Sequence, residues 1–306
     1  MDFSFNKLTI LSSWNNIYLE VLPMLNNFQY IKLLPCFKKK VVTFSFDDGT
    51  YQDMEMINLL DALKLKATFN LNSALMNEKG SFVINDWLVN YRIPEDIIRH
   101  VYRNHEVAAH TSHHYNLNEL TENALKEEID DDLYRLSQMT KRKVIGFAYP
   151  YGIYNEQIIE RLKKCNLIYA RSTNSSYDFH LPEDWFTYGG TCNLSDSQMT
   201  ILVNRWLKLK PKTIKLFYIW GHSYELDMFH EHEKIYHLFS KLANQQDTWY
   251  ATNGELISYL NAFEKLSYDY SRHQFKNDSS YDLYIQIKQN HYIIPKKGTF
   301  VYEEKK

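Results

Sequence analysis

The stretch Val41-Val42-Thr43-Phe44-Ser45-Phe46 ends abruptly in Asp47-Asp48-Gly49. A run of β-branched and aromatic residues, bounded upstream by Lys38-Lys39-Lys40 and downstream by a glycine, predicts a buried strand with two carboxylates at its C-terminal end. In folds that alternate strands and helices, that end is where ligands sit. Two plainer readings remain open on this stretch alone. Asp-Asp-Gly can be an ordinary turn, and Asp48 can cap the helix that follows.

The surrounding pattern says what kind of sheet this strand joins. Met54, Ile57, Leu60 and Leu63 recur at helical spacing over about 51–64, and Ala67–Leu71 reads as the next strand, so the first unit is β–α–β with parallel strands. Residues 72–104 read as a loop and then a helix near 94–103. Glu106–Ala109 is strand-like, and a helix from about Thr121 turns Leu125, Ile129, Leu133 and Leu136 inward with Glu127, Glu128, Asp130 and Asp131 mostly outward. Strands at 144–148 and 167–170 flank a helix marked by Ile158, Ile159 and Leu162. Leu216–Trp220 is the strongest strand signal of the second half, and helices near 229–243 and 253–265 enclose a short strand at 248–251. This alternation over 41–265 predicts an α/β sheet or barrel. After Tyr268 alternating residues around 281–287, 292–294 and 299–302, with a turn at Lys297-Gly298, predict a small antiparallel appendage over 266–306. Residues 1–40 read as an extension of strand or short helices packed on the core.

Composition narrows the partners. A net charge of −2 with no long basic cluster beyond Lys38–Lys40 argues against nucleic acid. The 24 Tyr, 17 Phe and 6 Trp offer surfaces for stacking sugars, although they can equally reflect codon bias. Cys36, Cys165 and Cys192 are too scattered for a disulfide framework or a paired metal motif. The N-terminus lacks the basic and apolar segments of a signal peptide, and no run is long enough to span a membrane, so the expected location is the cytoplasm, with export only if the start is incomplete. The sequence leaves the oligomeric state open.

His110 and His114 are four residues apart, a spacing that places both on one face of a helical turn at a strand end. Two imidazoles so placed, with Asp48 from another strand end, would form a facial set on a divalent metal. Phe46-Asp47-Asp48-Gly49, then His110-Thr111-Ser112-His113-His114, then Tyr149-Pro150-Tyr151-Gly152, then His222 at a late strand end, together resemble the polysaccharide deacetylase family with the NodB homology domain, carbohydrate esterase family 4. The resemblance covers about 41–265. It implies a distorted (β/α) barrel of the NodB type and metal-dependent removal of an N- or O-acetyl group from a sugar, oligosaccharide or glycan precursor. Carried over, Asp47 resembles the general base, Asp48, His110 and His114 the ligands of one divalent ion (Zn²⁺ first, Co²⁺ or Ni²⁺ as alternatives), and His222 the general acid. The Tyr151 N–H is a candidate second oxyanion donor beside the metal. Tyr149, Pro150, Tyr151, Gly152, Trp185 and Trp220 are expected around the substrate, with Tyr188 and Cys192 as further wall candidates; Trp220 can instead be barrel core.

One departure stands out. The family's third motif carries an arginine two residues before its proline, which orients the catalytic Asp, and here that position is Ala148. Arg171, at the end of the 167–170 strand, could project into the same site, or it could be a surface arginine. The fourth motif is matched only loosely by Asp184-Trp185. Two other readings stay open: metal-assisted hydrolysis of a non-sugar amide or ureide C–N bond, and an inactive carbohydrate-binding relative that lost chemistry with the motif arginine.

Overall fold

The computed structural model describes residues 28–77, 80–85 and 87–303. The expectation for an N-terminal extension over 1–40 therefore falls largely outside the described residues. The described residues divide into two compact units, Leu33–Asn261 and a second made by residues 262–303 with residues 28–32.

The first unit is built on β1 (Lys40–Asp47), all eight residues of which are buried. Its sequence alternates, and the two faces have different neighbours. Val42, Phe44 and Phe46 belong to the apolar core, with the Phe44 ring 4.6 Å from that of Phe239. Full burial of each such side chain contributes about 1.5–3 kcal/mol. The other face is polar and hydrogen-bonded: Thr43 Oγ1 donates to Asn253 Oδ1 at 2.7 Å, and Ser45 Oγ accepts from Asn70 Nδ2 at 2.8 Å. Asp47 lies on this second face, at the last position of the strand.

Around β1 lie β2 (Ala67–Leu71), β3 (Glu106–Ala109), β4 (Gly146–Ala148), β5 (Tyr169–Arg171), β6 (Cys192–Asn193), β7 (Lys215–His222) and β8 (Thr248–Tyr250). Seven of the eight strands, β1 included, follow the order β5-β4-β3-β2-β1-β7-β6, and β8 pairs with the first half of β1. Every pairing in this sheet is parallel. No pairing closes β5 onto β6 among the described residues, so the fold is a distorted (β/α) barrel. Helices α1 (Gln52–Ala62), α2 (Glu122–Thr140), α3 (Glu156–Lys164), α4 (Met199–Lys208) and α5 (His232–Leu242) supply crossovers between parallel strands, and α6 (Asn253–Ala262) follows the last strand. Thr121 caps α2 and Asn155 caps α3, each accepting from a backbone N–H three residues on. No helix among the described residues is long and apolar enough to cross a membrane.

Three local expectations need correction. Residues 72–104 contain an antiparallel hairpin, Phe82–Asn85 with Leu88–Asn90, where a loop was expected. The segment from His110 to His114 is not helical: Thr111 and His114 have φ of 66° and 59°, and this left-handed pair, not a helical turn, brings the two rings together. Glu128 is buried, not outward, because it accepts from the His113 backbone N–H at 2.9 Å.

The second unit holds two small antiparallel sheets. One orders Leu266–Asp269, Gln274–Asn277 and Gly298–Val301; the other pairs Leu283–Ile287 with Asn290–Ile294. Phe28, Tyr268, Phe275 and Tyr302 cluster within it.

Candidate active site

The C-terminal ends of the parallel strands surround a cavity of about 590 Å³. Asp47, Asp48, His110, His114 and His222 line it together with Tyr149, Tyr151, Trp220 and Tyr224. Pro150, Gly152 and Trp185 are not among its lining residues. Pro150 and Gly152 act through the turn that presents Tyr151: Tyr151 and Gly152 have φ of 59° and 71°, and a Cβ at Gly152 would lie 2.2 Å from Thr173 Oγ1. Only glycine fits there. Tyr188 and Cys192 also lie off the cavity wall, while Trp220 lines it from β7.

Asp47 is gripped on both oxygens. Asn70 Nδ2 donates to Oδ1 at 2.7 Å from the neighbouring strand, and Arg171 Nη2 donates to Oδ2. Arg171 is buried rather than on the surface, its Nη1 donates to Ser172 O, and its guanidinium lies over the Trp220 ring. It is the register partner of Ala148 across β4 and β5. Burial alone would raise the Asp47 carboxyl, but Arg171 and the nearby His110 and His222 outweigh it and hold the group below its ordinary range.

Asp48 follows at φ 84°, a conformation uncommon outside glycine. Arg92 forms an ion pair with Oδ1 at 3.0 Å, and Tyr224 Oη donates to Oδ2 at 3.4 Å. The Arg92 contact lacks hydrogen-bond geometry, so Oδ1 is a buried oxygen with an unsatisfied lone pair. His114 Nε2 lies 3.8 Å from that same atom. Burial again pushes the Asp48 carboxyl up, and Arg92 with the three histidines brings it well below the carboxylate range.

His110 contacts Ala148 O through Nδ1 at 2.8 Å. A carbonyl can only accept, so Nδ1 carries the proton and Nε2 is left as a lone pair, the state a metal ligand requires. Burial holds His110 neutral, lowering it to about 4, and lowers His114 as well. Asp132 fixes the backbone beneath, accepting from the N–H groups of His110 and Ser73 at 3.0 and 2.8 Å. One donor atom each from Asp48, His110 and His114 lies within 4.8 Å of the others. Two neutral imidazoles and one ionised carboxylate, whose Oδ1 is buried and unsatisfied, fit a divalent cation.

His222 is the register partner of Asp47 on the adjacent parallel strand. Its Nδ1 lies 2.8 Å from Glu225 Oε1, and Glu225 also accepts from the His222 N–H and from Ser195 Oγ. Burial would lower this imidazole, yet Glu225, Asp48 and Asp47 raise it to about 9.

Several residues of the site were not singled out from the sequence. Asn70 could have been found from its place at the end of β2, opposite Asp47. Glu225 sits three residues after His222. Arg92, Phe82 and Tyr224 come from loops and a hairpin with no periodic pattern, and only the folded chain brings them here.

Residues 35–170 match the family model for polysaccharide deacetylase. A search of curated proteins gives no significant match. Among solved structures, a family 4 carbohydrate esterase from Streptomyces lividans in complex with acetate is 15% identical with a TM-score of 0.46, over 69% of this chain and 91% of that one. A polysaccharide deacetylase from Bacillus cereus is 22% identical with a TM-score of 0.36, over 43% of this chain and 40% of its own, so the chain spans less than half of that protein's length. A candidate polysaccharide deacetylase from Mycobacterium smegmatis is 12% identical with a TM-score of 0.53, over 78% of this chain and 96% of that one, which supports a shared fold.

Proposed function

We propose that this chain, whose residues 35–170 match the family model for polysaccharide deacetylase, is a metal-dependent hydrolase that removes an acetyl group from a sugar or glycan precursor. The observation that carries this reading is the register pairing of Asp47 with His222 at one level of the barrel mouth, since it stands a base beside an acid.

Asp47 is the base. The cation of Arg171 keeps it ionised, and the two grips on its oxygens restrict where it can point, so it can take a proton from a water placed above the strand ends. His222 is the acid. Its imidazolium, favoured by Glu225, gives a proton from Nε2 to the leaving amine or alcohol oxygen. Asp48, His110 and His114 would hold the metal, with Zn²⁺ the first choice and Co²⁺ or Ni²⁺ the alternatives. When bound, such an ion supplies Lewis-acid polarisation of the acetyl carbonyl. The Tyr151 N–H is the second donor proposed for the developing oxyanion. Tyr149, Tyr151, Trp220 and Tyr224 form an aromatic wall suited to the apolar faces of a sugar ring.

The test is an acetate-release screen on N- and O-acetylated sugars, with ureides and formamides as competitors, using protein stripped of metal and reloaded with Zn²⁺, Co²⁺ or Ni²⁺. His114→Ala should lose stoichiometric metal and turnover together while keeping its fold. Turnover on ureides alone would replace the sugar reading. No hydrolysis under any condition would leave a carbohydrate-binding protein, and one tightly held metal in His114→Ala would refute the ligand set.

A further inference from the structure

We propose that Arg92 is a positioning residue for the metal-ligating carboxylate, clamping the strained turn that presents Asp48. The inference rests on Asp48, His110 and His114 being the ligands, and it concerns what makes Asp48 a ligand at all.

Asp48 and Gly49 both have positive φ, 84° and 66°. A non-glycine residue held there costs about 1–3 kcal/mol and persists only where its surroundings over-determine it. The surroundings here are residues 91–93, which lie antiparallel along 49–51. Ile93 N donates to Gly49 O at 2.8 Å, Tyr51 N donates to Tyr91 O at 3.0 Å, and Thr50 bridges Arg92 between them. Arg92 is therefore the central residue of a short ladder whose partner strand is the ligand turn itself.

Its side chain folds back onto that turn. Nη1 donates to the Asp48 carbonyl oxygen and stands 3.0 Å from Oδ1, so one guanidinium nitrogen bridges the backbone and carboxylate of the same residue. The other side of the guanidinium is held too. Nε donates to Gly80 O at 3.4 Å, and the Phe82 ring lies 5.0 Å from Cζ. A Cβ at Gly80 would come within 2.8 Å of Arg92 Cγ, so the chain closes tightly on the stem. Both partners are buried, at 4% and 5% exposure, which is where a planar fork fixes orientation most firmly.

Two effects of this guanidinium on metal affinity have opposite signs. As a cation beside a ligand, it repels a divalent ion, and removing it would tighten binding. As a clamp, it keeps Oδ1 aimed at the histidines, and removing it would loosen binding. The bridging contact to the strained backbone and the packing on the stem favour the clamp.

The experiment measures Zn²⁺ affinity of the full chain by competition with a chromogenic chelator and records the Co²⁺ visible absorption, for wild type, Arg92→Ala, Arg92→Met and Arg92→Lys. Arg92→Ala should weaken Zn²⁺ binding about 10–100-fold, the usual loss when a group orienting a ligand is removed, and should change the Co²⁺ spectrum. Arg92→Met keeps most of the stem packing and should lose affinity similarly with its circular dichroism preserved; it decides the matter if Arg92→Ala fails to fold. Arg92→Lys should recover part of the loss, since an ammonium keeps the charge without the fork. Wild-type or tighter affinity in a folded Arg92→Ala or Arg92→Met would overturn the clamp. Failure of the wild type to bind Zn²⁺ or Co²⁺ would instead refute the ligand assignment.

Discussion

Replacing Arg171 by alanine removes the cation from a pair whose partners are only 1% and 5% exposed. Breaking a buried pair by deleting one partner costs about 3–5 kcal/mol. For a unit the size of Leu33–Asn261, at roughly 2–4 °C per kcal/mol, the expected fall in Tm is about 6–20 °C. The kinetic effect has a different origin. With Arg171 gone, burial dominates the Asp47 carboxyl and pushes it up, so the acid limb of the pH profile should move to higher pH. The retained Asn70 contact still holds one oxygen, so turnover should drop about 10–10³-fold, less than the full ~10²–10⁴ of a lost general base. Metal stoichiometry should stay intact. Because Ala148 and Arg171 are register partners on adjacent strands, Ala148→Arg with Arg171→Ala should recover part of the activity. The assays are acetate release across pH and thermal melting. Unchanged turnover in a folded Arg171→Ala protein would refute the reasoning and leave Asp47 dependent on Asn70 alone.

Glu225→Gln should move the alkaline limb of activity to lower pH. His222 sits at about 9 against an ordinary 6.5, so its protonated form, and the stability linked to it, is complete below 6.5 and lost as pH rises through 9; removing the Glu225 charge shrinks that window. An unmoved alkaline limb would show that His222 is not the proton donor. Deleting 266–306 should leave metal stoichiometry and turnover on a small acetylated substrate largely intact, because every residue lining the cavity belongs to Leu33–Asn261. Complete loss of activity in a truncated protein with native circular dichroism would show that the deleted residues complete the site.

The strands were readable wherever local pattern and fold agreed. The run from Val41 to Phe46 and the run from Leu216 to Trp220 are long, apolar or alternating, and bounded by polar residues, and both became full strands. The hairpin at Phe82–Asn90 was hidden because its strands are short and their pairing shifts register between Val83 and Asn85. Spacing misled at His110 and His114. An i, i+4 pair fits a helix, but two left-handed residues bring the rings equally close. The two arginines show the limit most clearly. Arg171 was visible as a possibility because it ends a strand, whereas nothing around Arg92 in the sequence distinguishes a buried clamp from a loop cation; long-range pairing alone gives it that position.

The alternation along β1 also ties folding errors to catalytic ones. A slip of one residue in its pairing would turn Thr43, Ser45 and Asp47 toward the helices and bring Phe44 and Phe46 against Asn70 and Asn253. Three polar groups would then be stranded in apolar surroundings and three hydrogen-bonding partners left unmatched, each costing about 1–3 kcal/mol. The total exceeds much of the stability an ordinary domain possesses. A misregistered barrel therefore unfolds rather than persisting as an inactive look-alike. In a population of these molecules, the fraction that is compact should equal the fraction with Asp47 aimed into the cavity, so measured specific activity ought to track the folded fraction one for one.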